Sequence, residues 1–172
     1  EQLLRQPQLK PKPPEPQFDI EEFNFMPEKY KIDFTYQPLG HPIETIQVNG
    51  RTESRYQNGD KMIEYKNQVK RIICRDGTIY TRLTNGDVSK KFADGAEAYF
   101  FDQSRAIQLT LPDNVIHSLF SNGQKEISYP NNEKITVFPD QSVQYKKPNG
   151  DYQINYSNGK SVTCINGIIT EQ

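Results

Sequence analysis

The sequence predicts an all-β protein, an extended single-layer antiparallel β-meander of about 13 short strands, joined by two-residue hairpin turns and with solvent on both faces. Three observations predict it. Turn dipeptides recur every nine residues, the segments between them alternate polar and apolar side chains, and apolar residues are too few for a conventional core. Apolar residues make up 34% of the 172 residues, and the mean hydropathy is -0.84. An ordinary globular domain is about 45–50% apolar.

The turn dipeptides consist of Asn or Asp followed by Gly, Asn or Gln. The first series is Asn49-Gly50, Asn58-Gly59, Asn67-Gln68, Asp76-Gly77, Asn85-Gly86 and Asp94-Gly95. After one interruption, the second series is Asp113-Asn114, Asn122-Gly123, Asn131-Asn132, Asp140-Gln141, Asn149-Gly150 and Asn158-Gly159, followed after eight residues by Asn166-Gly167. Asn-Gly and Asp-Gly tolerate positive φ at both central positions of a type I′ turn. Two turn residues and seven strand residues therefore account for each repeat of nine.

Large apolar residues mark the segments between the turns. The residue two positions before a turn is usually of this kind: Tyr56, Tyr65, Cys74, Leu83, Phe92, Phe101 (before a turn placed at Gln103-Ser104), Phe120, Tyr129, Phe138 and Tyr156. Ile165 lies one position before the last turn. Two-residue hairpins keep facing pairs on one side of a sheet. The pattern therefore predicts a stripe of these residues along one edge of one face, in place of a core.

One interruption of the repeat decides which residues share a face. Arg105–Pro112 forms an eight-residue segment where the other strands have seven. An even-length strand reverses the relation between turn and face unless a β-bulge absorbs the extra residue. Without a bulge, Glu126 shares a face with Leu83 and Tyr99, and with a bulge it lies on the opposite face. The sequence leaves both possibilities open.

The chain divides into three parts. Residues 1–17 hold five prolines among lysines and glutamines, which predicts a disordered linker with polyproline II bias. The same residues could instead act as a ligand, because aromatic grooves bind preformed Pro-rich strands at little entropic cost. We expect residues 18–42 to form an irregular cover segment, with a possible strand at Ile32–Tyr36. Residues 43–172 form the nine-residue-repeat meander.

Composition excludes several classes of function. Lys+Arg 21 against Asp+Glu 22 leaves a net charge of -1, so no global field attracts nucleic acid or anionic lipid. No apolar run approaches the roughly 20 residues of a transmembrane helix, and an intracellular location is expected. Cys74 and Cys164 lie far apart in sequence, and His41 and His117 fit no metal-binding spacing. We therefore expect no catalysis, no cofactor and no metal site, with His117 an exposed strand residue.

Two stretches carry a resemblance to a known family. They are Thr84–Lys90, with the sequence TNGDVSK, and Phe120–Gln141, with the sequence FSNGQKEISYPNNEKITVFPDQ. In this order and spacing they resemble the C-terminal TCP domain, or G-box, of the CPAP/Sas centriole-assembly proteins. The resemblance covers residues 47–170. It implies a free-standing sheet that works in a centriole scaffold, within the cytoskeleton at the centrosome.

The resemblance also implies a partner and a binding site. Members of the family bind a short Pro-rich motif of STIL/Ana-type centriole proteins, through positions that match Leu83, Tyr99 and Glu126. Tyr99 and Glu126 are the residue types of the family. Leu83 replaces an aromatic residue, which retains apolar contact but removes ring stacking on proline. Phe101, in the same strand as Tyr99, completes the candidate peptide-binding set.

Two hypotheses of different classes remain. The first is a peptide-binding module, whose ligand is held by Leu83, Tyr99, Phe101 and Glu126. The second is a structural strut that self-associates through sheet edges or faces, because an open meander leaves strand edges unpaired. From spacing alone, Tyr99 could be one more sheet-face aromatic and Glu126 a solvated charge.

Overall fold

A computed structural model describes residues 25–172 as one open antiparallel sheet, without helices in that range. Fifteen strands follow one another in sequence order, each hydrogen-bonded to its neighbours along the chain. They are β1 Glu44–Val48, β2 Arg51–Arg55, β3 Lys61–Glu64, β4 Lys70–Ile73, β5 Ile79–Arg82, β6 Val88–Lys91, β7 Glu97–Phe101, β8 Ala106–Thr110, β9 Ile116–Leu119, β10 Lys125–Ser128, β11 Lys134–Val137, β12 Val143–Lys146, β13 Tyr152–Asn155, β14 Ser161–Ile165 and β15 Ile168–Glu171. The predicted fold class is confirmed, with fifteen strands where about thirteen were expected.

Most of the turns differ from the predicted two-residue type. In the connection from β2 to β3, the amide of Tyr56 donates to the carbonyl of Asp60 at 2.9 Å, which encloses a three-residue loop. Only its last residue, Gly59, has positive φ, at 90°. This is a type I turn followed by a residue in the left-handed region. The type I′ prediction is wrong here and holds at Asn49-Gly50 and Asn166-Gly167, where both residues have positive φ.

A hydrogen bond from the backbone to the side chain explains why Asn or Asp recurs in the turns of the repeat. In all eleven three-residue loops, the Oδ1 atom of the Asn or Asp accepts from the backbone amide two residues later. Asn58 Oδ1, for example, lies 3.1 Å from the amide nitrogen of Asp60. Such Asx-type bonds stabilise a turn without positive φ at the Asn or Asp itself. The repeat therefore selects this residue for its carboxyl or amide oxygen.

The three-residue loops place the large apolar residues on both faces. Six residues run from one loop to the next, such as Asp60 to Tyr65, so the first and last residues of a strand point to opposite faces. We define face A as the face that holds Leu109 and face B as the face that holds Tyr99. Each face carries an edge row, by which we mean a row along one end of the strands. On face A the edge row is Tyr56, Cys74, Phe92, Leu111 and Tyr129. On face B, along the opposite ends of the strands, it is Tyr65, Leu83, Phe101, Phe120, Phe138 and Tyr156. The predicted single stripe is therefore wrong.

The interruption of the repeat lies in a loop. Phe101 pairs directly with Ala106 across a four-residue connection, whose last residue, Arg105, has φ of 57°. β8 pairs residue by residue with both β7 and β9. Arg105–Pro112 therefore contains no bulge, and the extra residue lengthens the turn without changing the alternation of faces.

Residues 25–36, which we call the strap, cross face A from β9 to β3. Tyr30 packs with Ala96, Ala98 and Leu109 in a buried cluster, and the last three have no exposed surface. Along the strap, even-numbered residues from Tyr30 face the sheet and odd-numbered residues are exposed. The strap therefore supplies a local second layer, and it covers the centre of face A.

Side chains of face A hold the backbone of the strap. His117 Nδ1 lies 2.5 Å from the carbonyl oxygen of Phe25. Lys90 Nζ donates to the carbonyl of Lys31 at 2.6 Å, and Arg82 Nη2 donates to the carbonyl of Tyr36 at 2.8 Å. Burial lowers the pKa of Lys90, whose ammonium also lies over the rings of Tyr80 and Phe92. The expectation of an exposed His117 is wrong, because the strap covers it and leaves 6% of its surface exposed.

The strap is not a strand. Its carbonyl groups bond to side chains and its direction crosses the strands, so Ile32–Tyr36 lies outside the sheet. The possible strand at Ile32–Tyr36 is therefore not formed. The Pro-rich residues 1–17, with their possible role as a ligand, and residues 18–24 of the predicted cover lie outside the described residues.

Candidate functional site

All four predicted site residues lie on face B. Tyr99 pairs with Gln108, Gln108 with Ser118, and Ser118 with Glu126. We call the row that runs through these positions the central row. Leu83 and Phe101 belong to the edge row of the same face. The structure thus brings the four residues onto one surface, with Glu126 three strands from Tyr99, or about 14 Å at about 4.8 Å per strand.

The Tyr99 ring is fixed by neighbouring side chains. Its hydroxyl donates to Asp87 Oδ2 at 2.9 Å, and its ring centroid lies 4.5 Å from that of Phe101. Burial and then the bond to Asp87 raise the pKa of Tyr99. The half-buried tyrosine therefore presents an ordered ring beside Phe101, of which 36% is exposed. A paired aromatic surface of this kind suits an apolar ring such as proline.

Asp87 supports this arrangement, and sequence reasoning did not assign it a role. Its Oδ1 atom accepts from the amide of Asp102 at 2.8 Å, and its Oδ2 atom accepts from Asn85 Nδ2 at 2.9 Å. The Asp102 amide is the largest cause of the lowered pKa of Asp87. The aspartate therefore links Tyr99 to two turns. The sequence signal was its place directly after Asn85-Gly86, where the family-like motif has its aspartate.

Leu83 lies at the end of β5, in the edge row. Its amide donates to the carbonyl of Asp87 at 2.9 Å, and its half-buried side chain faces the same side as Phe101. The edge row continues beyond the predicted site to Phe120, which is 37% exposed. Phe120 was expected in the apolar stripe but was not assigned to the site.

Glu126 is partly neutralised. Its side chain is 21% exposed, and its Oε1 atom lies 2.9 Å from Lys134 Nζ. The hydroxyl of Ser128 donates to the same oxygen at 3.1 Å. Neither bond uses Oε2, so Glu126 can accept a further hydrogen bond through that atom.

The described residues offer no other chemistry at this site. Within residues 25–172, no group of three or more His, Cys, Asp or Glu could hold a metal ion, and no helix could cross a membrane. Among residues 25–172, face B is an open surface of aromatic and polar side chains. Its geometry suits recognition of an extended chain laid across the strands.

The chain is similar to proteins of known identity. No protein-family model matches the chain. The human centrosomal P4.1-associated protein is 29% identical over 112 residues, and the chimpanzee protein is 30% identical over 115. These segments cover 64% and 66% of this chain but 8% of each relative. The chain thus spans a small part of the curated relatives it matches.

Solved structures resemble the sheet itself. The TCP10 domain of Danio rerio CPAP, solved with a peptide of Danio rerio STIL, has a TM-score of 0.65 and 25% identity, and the match covers 71% of this chain and 68% of that one. The Drosophila melanogaster SAS-4 TCP domain, solved with a proline-rich motif of Ana2, has a TM-score of 0.55 and 20% identity, with 79% and 97% covered. The resemblance to the TCP domain of the CPAP/Sas proteins, expected from sequence, is confirmed.

Proposed function

We propose that this chain is a non-catalytic scaffold domain of centriole assembly, located at the centrosome. It binds a short Pro-rich segment of a STIL/Ana-type partner on face B, through Leu83, Tyr99, Phe101 and Glu126. Similarity to a CPAP TCP10 domain solved with a STIL peptide supports the class of partner.

One observation carries the choice of surface. The strap covers the centre of face A, where Tyr30, Ala98 and Leu109 are buried together. Face B has no such cover among residues 25–172, and it holds all four candidate residues in register. A ligand that reaches the centre of the sheet therefore meets face B, because binding at face A would first require release of the strap.

The residues of face B suit a Pro-rich chain. A polyproline II segment is already extended before binding, so little conformational entropy is lost when it docks. Proline rings pack on the ordered Tyr99–Phe101 pair, with Leu83 as an additional apolar contact. Glu126 accepts a hydrogen bond from a backbone N–H of the ligand through Oε2, since Lys134 and Ser128 both bond to Oε1.

Isothermal titration of the full chain with a Pro-rich peptide of a STIL/Ana-type protein tests the proposal. Tyr99→Ala should weaken binding by about 30-fold or more, because an ordered aromatic at the centre of a contact is typically worth about 2 kcal/mol. Tyr156→Ala is the matched control, because Tyr156 is a tyrosine on the same face B but lies six strands away. Equal losses in both variants, or no binding by the unmodified chain, would refute the proposal.

Glu126 provides a second, independent measurement. Glu126→Ala should weaken the peptide, and Glu133→Ala should not, because Glu133 lies on face A of the neighbouring strand. Circular dichroism of both variants checks that the sheet is intact. Similar affinities for the two variants would remove Glu126 from the site.

A separate observation favours a second function, that of a self-associating strut. β15 pairs only with β14 among the described strands, and its Ile168 and Ile169 are 71% and 61% exposed. An apolar strand with an open edge is a template for pairing with another chain. The strut and the peptide-binding scaffold are compatible, because they use different parts of the sheet.

Sedimentation as a function of concentration tests the strut. Ile169→Lys should abolish any assembly, because a charge at an open edge disfavours pairing. Peptide binding on face B should be unchanged in this variant. A chain that remains monomeric at all concentrations would exclude the strut.

A further inference from the structure

A cleft on face A, between the strap and strands β4 to β6, takes no part in the proposed function. Its volume is about 440 Å³, and a water molecule takes up roughly 30 Å³, so a ligand group of several atoms fits inside. Residues of both the strap and the sheet line it, among them Lys31, Tyr36, Cys74, Tyr80, Lys90 and Phe92. The cleft therefore exists only while the strap is docked on the sheet.

Two buried side chains of the sheet supply hydrogen-bond donors to the cleft. Lys90 is 6% exposed, and the carbonyl of Lys31 is the one hydrogen-bond acceptor that its ammonium contacts within residues 25–172. An ammonium has three donors. Tyr80 is 5% exposed, and its hydroxyl bonds to no side chain or backbone group of the same range. Burial raises the pKa of Tyr80 to about 12, so this hydroxyl keeps its proton and remains a donor.

The acidic groups of the cleft are already engaged. Asp60 Oδ2 accepts from the hydroxyl of Tyr36 at 2.5 Å. Asp76 Oδ1 accepts from the backbone amide of Thr78 at 2.9 Å. The thiol of Cys74 is neutral, because burial, followed by the charges of Asp60 and Asp76, raises its pKa to about 11. The cleft therefore has donors to spare rather than acceptors.

Two exposed cations add to these donors. Lys31 and Arg75 line the cleft, and none of the ion pairs formed within the described part of the chain includes either of them. Lys29, a further cation of the lining, is already paired with Asp94 at 2.5 Å. Burial is the largest cause of the lowered pKa of Lys90, and the positive charge of Lys31 lowers it further. An anion beside the two ammonium groups would offset both effects.

We propose that this cleft binds an oxyanion, the phosphate or carboxylate group of a partner's side chain. The anion accepts hydrogen bonds from Lys90 and Tyr80 in the sheet and from Lys31 and Arg75 at the surface. Charged oxygens suit these donors because ammonium and guanidinium groups form their strongest hydrogen bonds with anions. Since the strap forms one wall, the bound anion also stabilises the docked strap. The site lies on the face opposite to Tyr99 and does not depend on the proposed function.

Nuclear magnetic resonance titration of the full chain tests the site, with inorganic phosphate and acetate as separate probes. Sodium chloride keeps the ionic strength constant, so that general screening of charge does not change. The backbone amides of Lys31, Thr78 and Lys90 should shift saturably. Hydrogen exchange of the strap amides should slow when the anion is bound, because binding favours the docked state.

Two conservative variants identify the donors. Tyr80→Phe removes one hydroxyl and keeps the ring that stacks on Tyr36, so the anion should bind about tenfold more weakly while the strap stays docked. Lys31→Met should also weaken binding about tenfold, because it removes one charge and keeps most of the side chain.

Matched controls lie on the same face outside the cleft. Tyr129→Phe removes a hydroxyl in the edge row of face A. Lys125→Met removes an ammonium that contacts the strap at the ring of Phe25. Each should change the affinity for the anion by less than about twofold, since neither residue lines the cleft.

The outcomes decide both the site and the group that it takes. Saturation by phosphate, by acetate or by both, with the losses above, supports the site, and the tighter probe identifies the group. Shifts that remain linear up to about 100 mM of both anions would overturn the inference, because such binding is too weak to be specific. Equal affinities of Tyr80→Phe, Lys31→Met and the two controls would overturn it as well.

Discussion

Leu109→Ala separates the structural role of face A from the binding role of face B. Leu109 has no exposed surface and packs against Tyr30, Ala96 and Ala98 beneath the strap. The substitution removes three carbon atoms, worth about 2.4 kcal/mol at about 0.8 kcal/mol per buried CH₂. Any cavity that the strap does not refill adds to this loss, since Leu→Ala changes in cores cost about 2–5 kcal/mol. We expect a decrease of about 3 kcal/mol in the free energy of unfolding.

Urea denaturation followed by circular dichroism measures this loss, because the chain has no tryptophan. Leu83→Ala is the matched control, since the half-buried Leu83 lies on the opposite face at an edge, and it should cost less than half as much. Under native conditions the Leu109 variant should bind the Pro-rich peptide as tightly as the unmodified chain. A loss below about 1 kcal/mol would refute the packing of the strap, and weaker binding by the folded variant would refute the independence of the two faces.

Three further predictions concern turns and the strap. Asn58→Ala should lower the free energy of unfolding by about 1 kcal/mol, because the loop loses the bond to its backbone amide, as thermal denaturation will show. Gly86→Ala should destabilise more than Gly95→Ala in the same assay. Both have φ near 90°. An added Cβ at Gly86 would lie 2.6 Å from Asp102 Oδ2, whereas a Cβ at Gly95 would meet no other heavy atom within 4 Å. The hydrogen bond from Lys29 of the strap lowers the pKa of Asp94 to about 2. Protonation of Asp94 removes this bond, so the strap should bind face A less tightly as the pH falls from about 4 towards 2. Hydrogen exchange of the strap amides measures this, and no change over that range would contradict it.

Much of the fold follows from the sequence, because the turn signals are local. The repeat of nine predicts the meander, the neighbour-to-neighbour pairing and the position of almost every loop. It also places Tyr99 and Glu126 three strands apart, where a common face is one of two possibilities. The turn type was predicted wrongly, since an Asn-Gly pair satisfies both a type I′ turn and a type I turn with a left-handed glycine.

The sequence by itself determined the architecture and the candidate residues, because hairpin turns and alternation depend on neighbours along the chain. Only the tertiary structure decided the faces, because for a fixed sequence a loop of three residues in place of the expected two puts every following side chain on the other side of the sheet. It also decided that face A is covered. The contacts of Tyr30 with Leu109 and of His117 with Phe25 join residues far apart in sequence, and such contacts leave no periodic signal. That cover leaves Tyr99 and Glu126 on the open face.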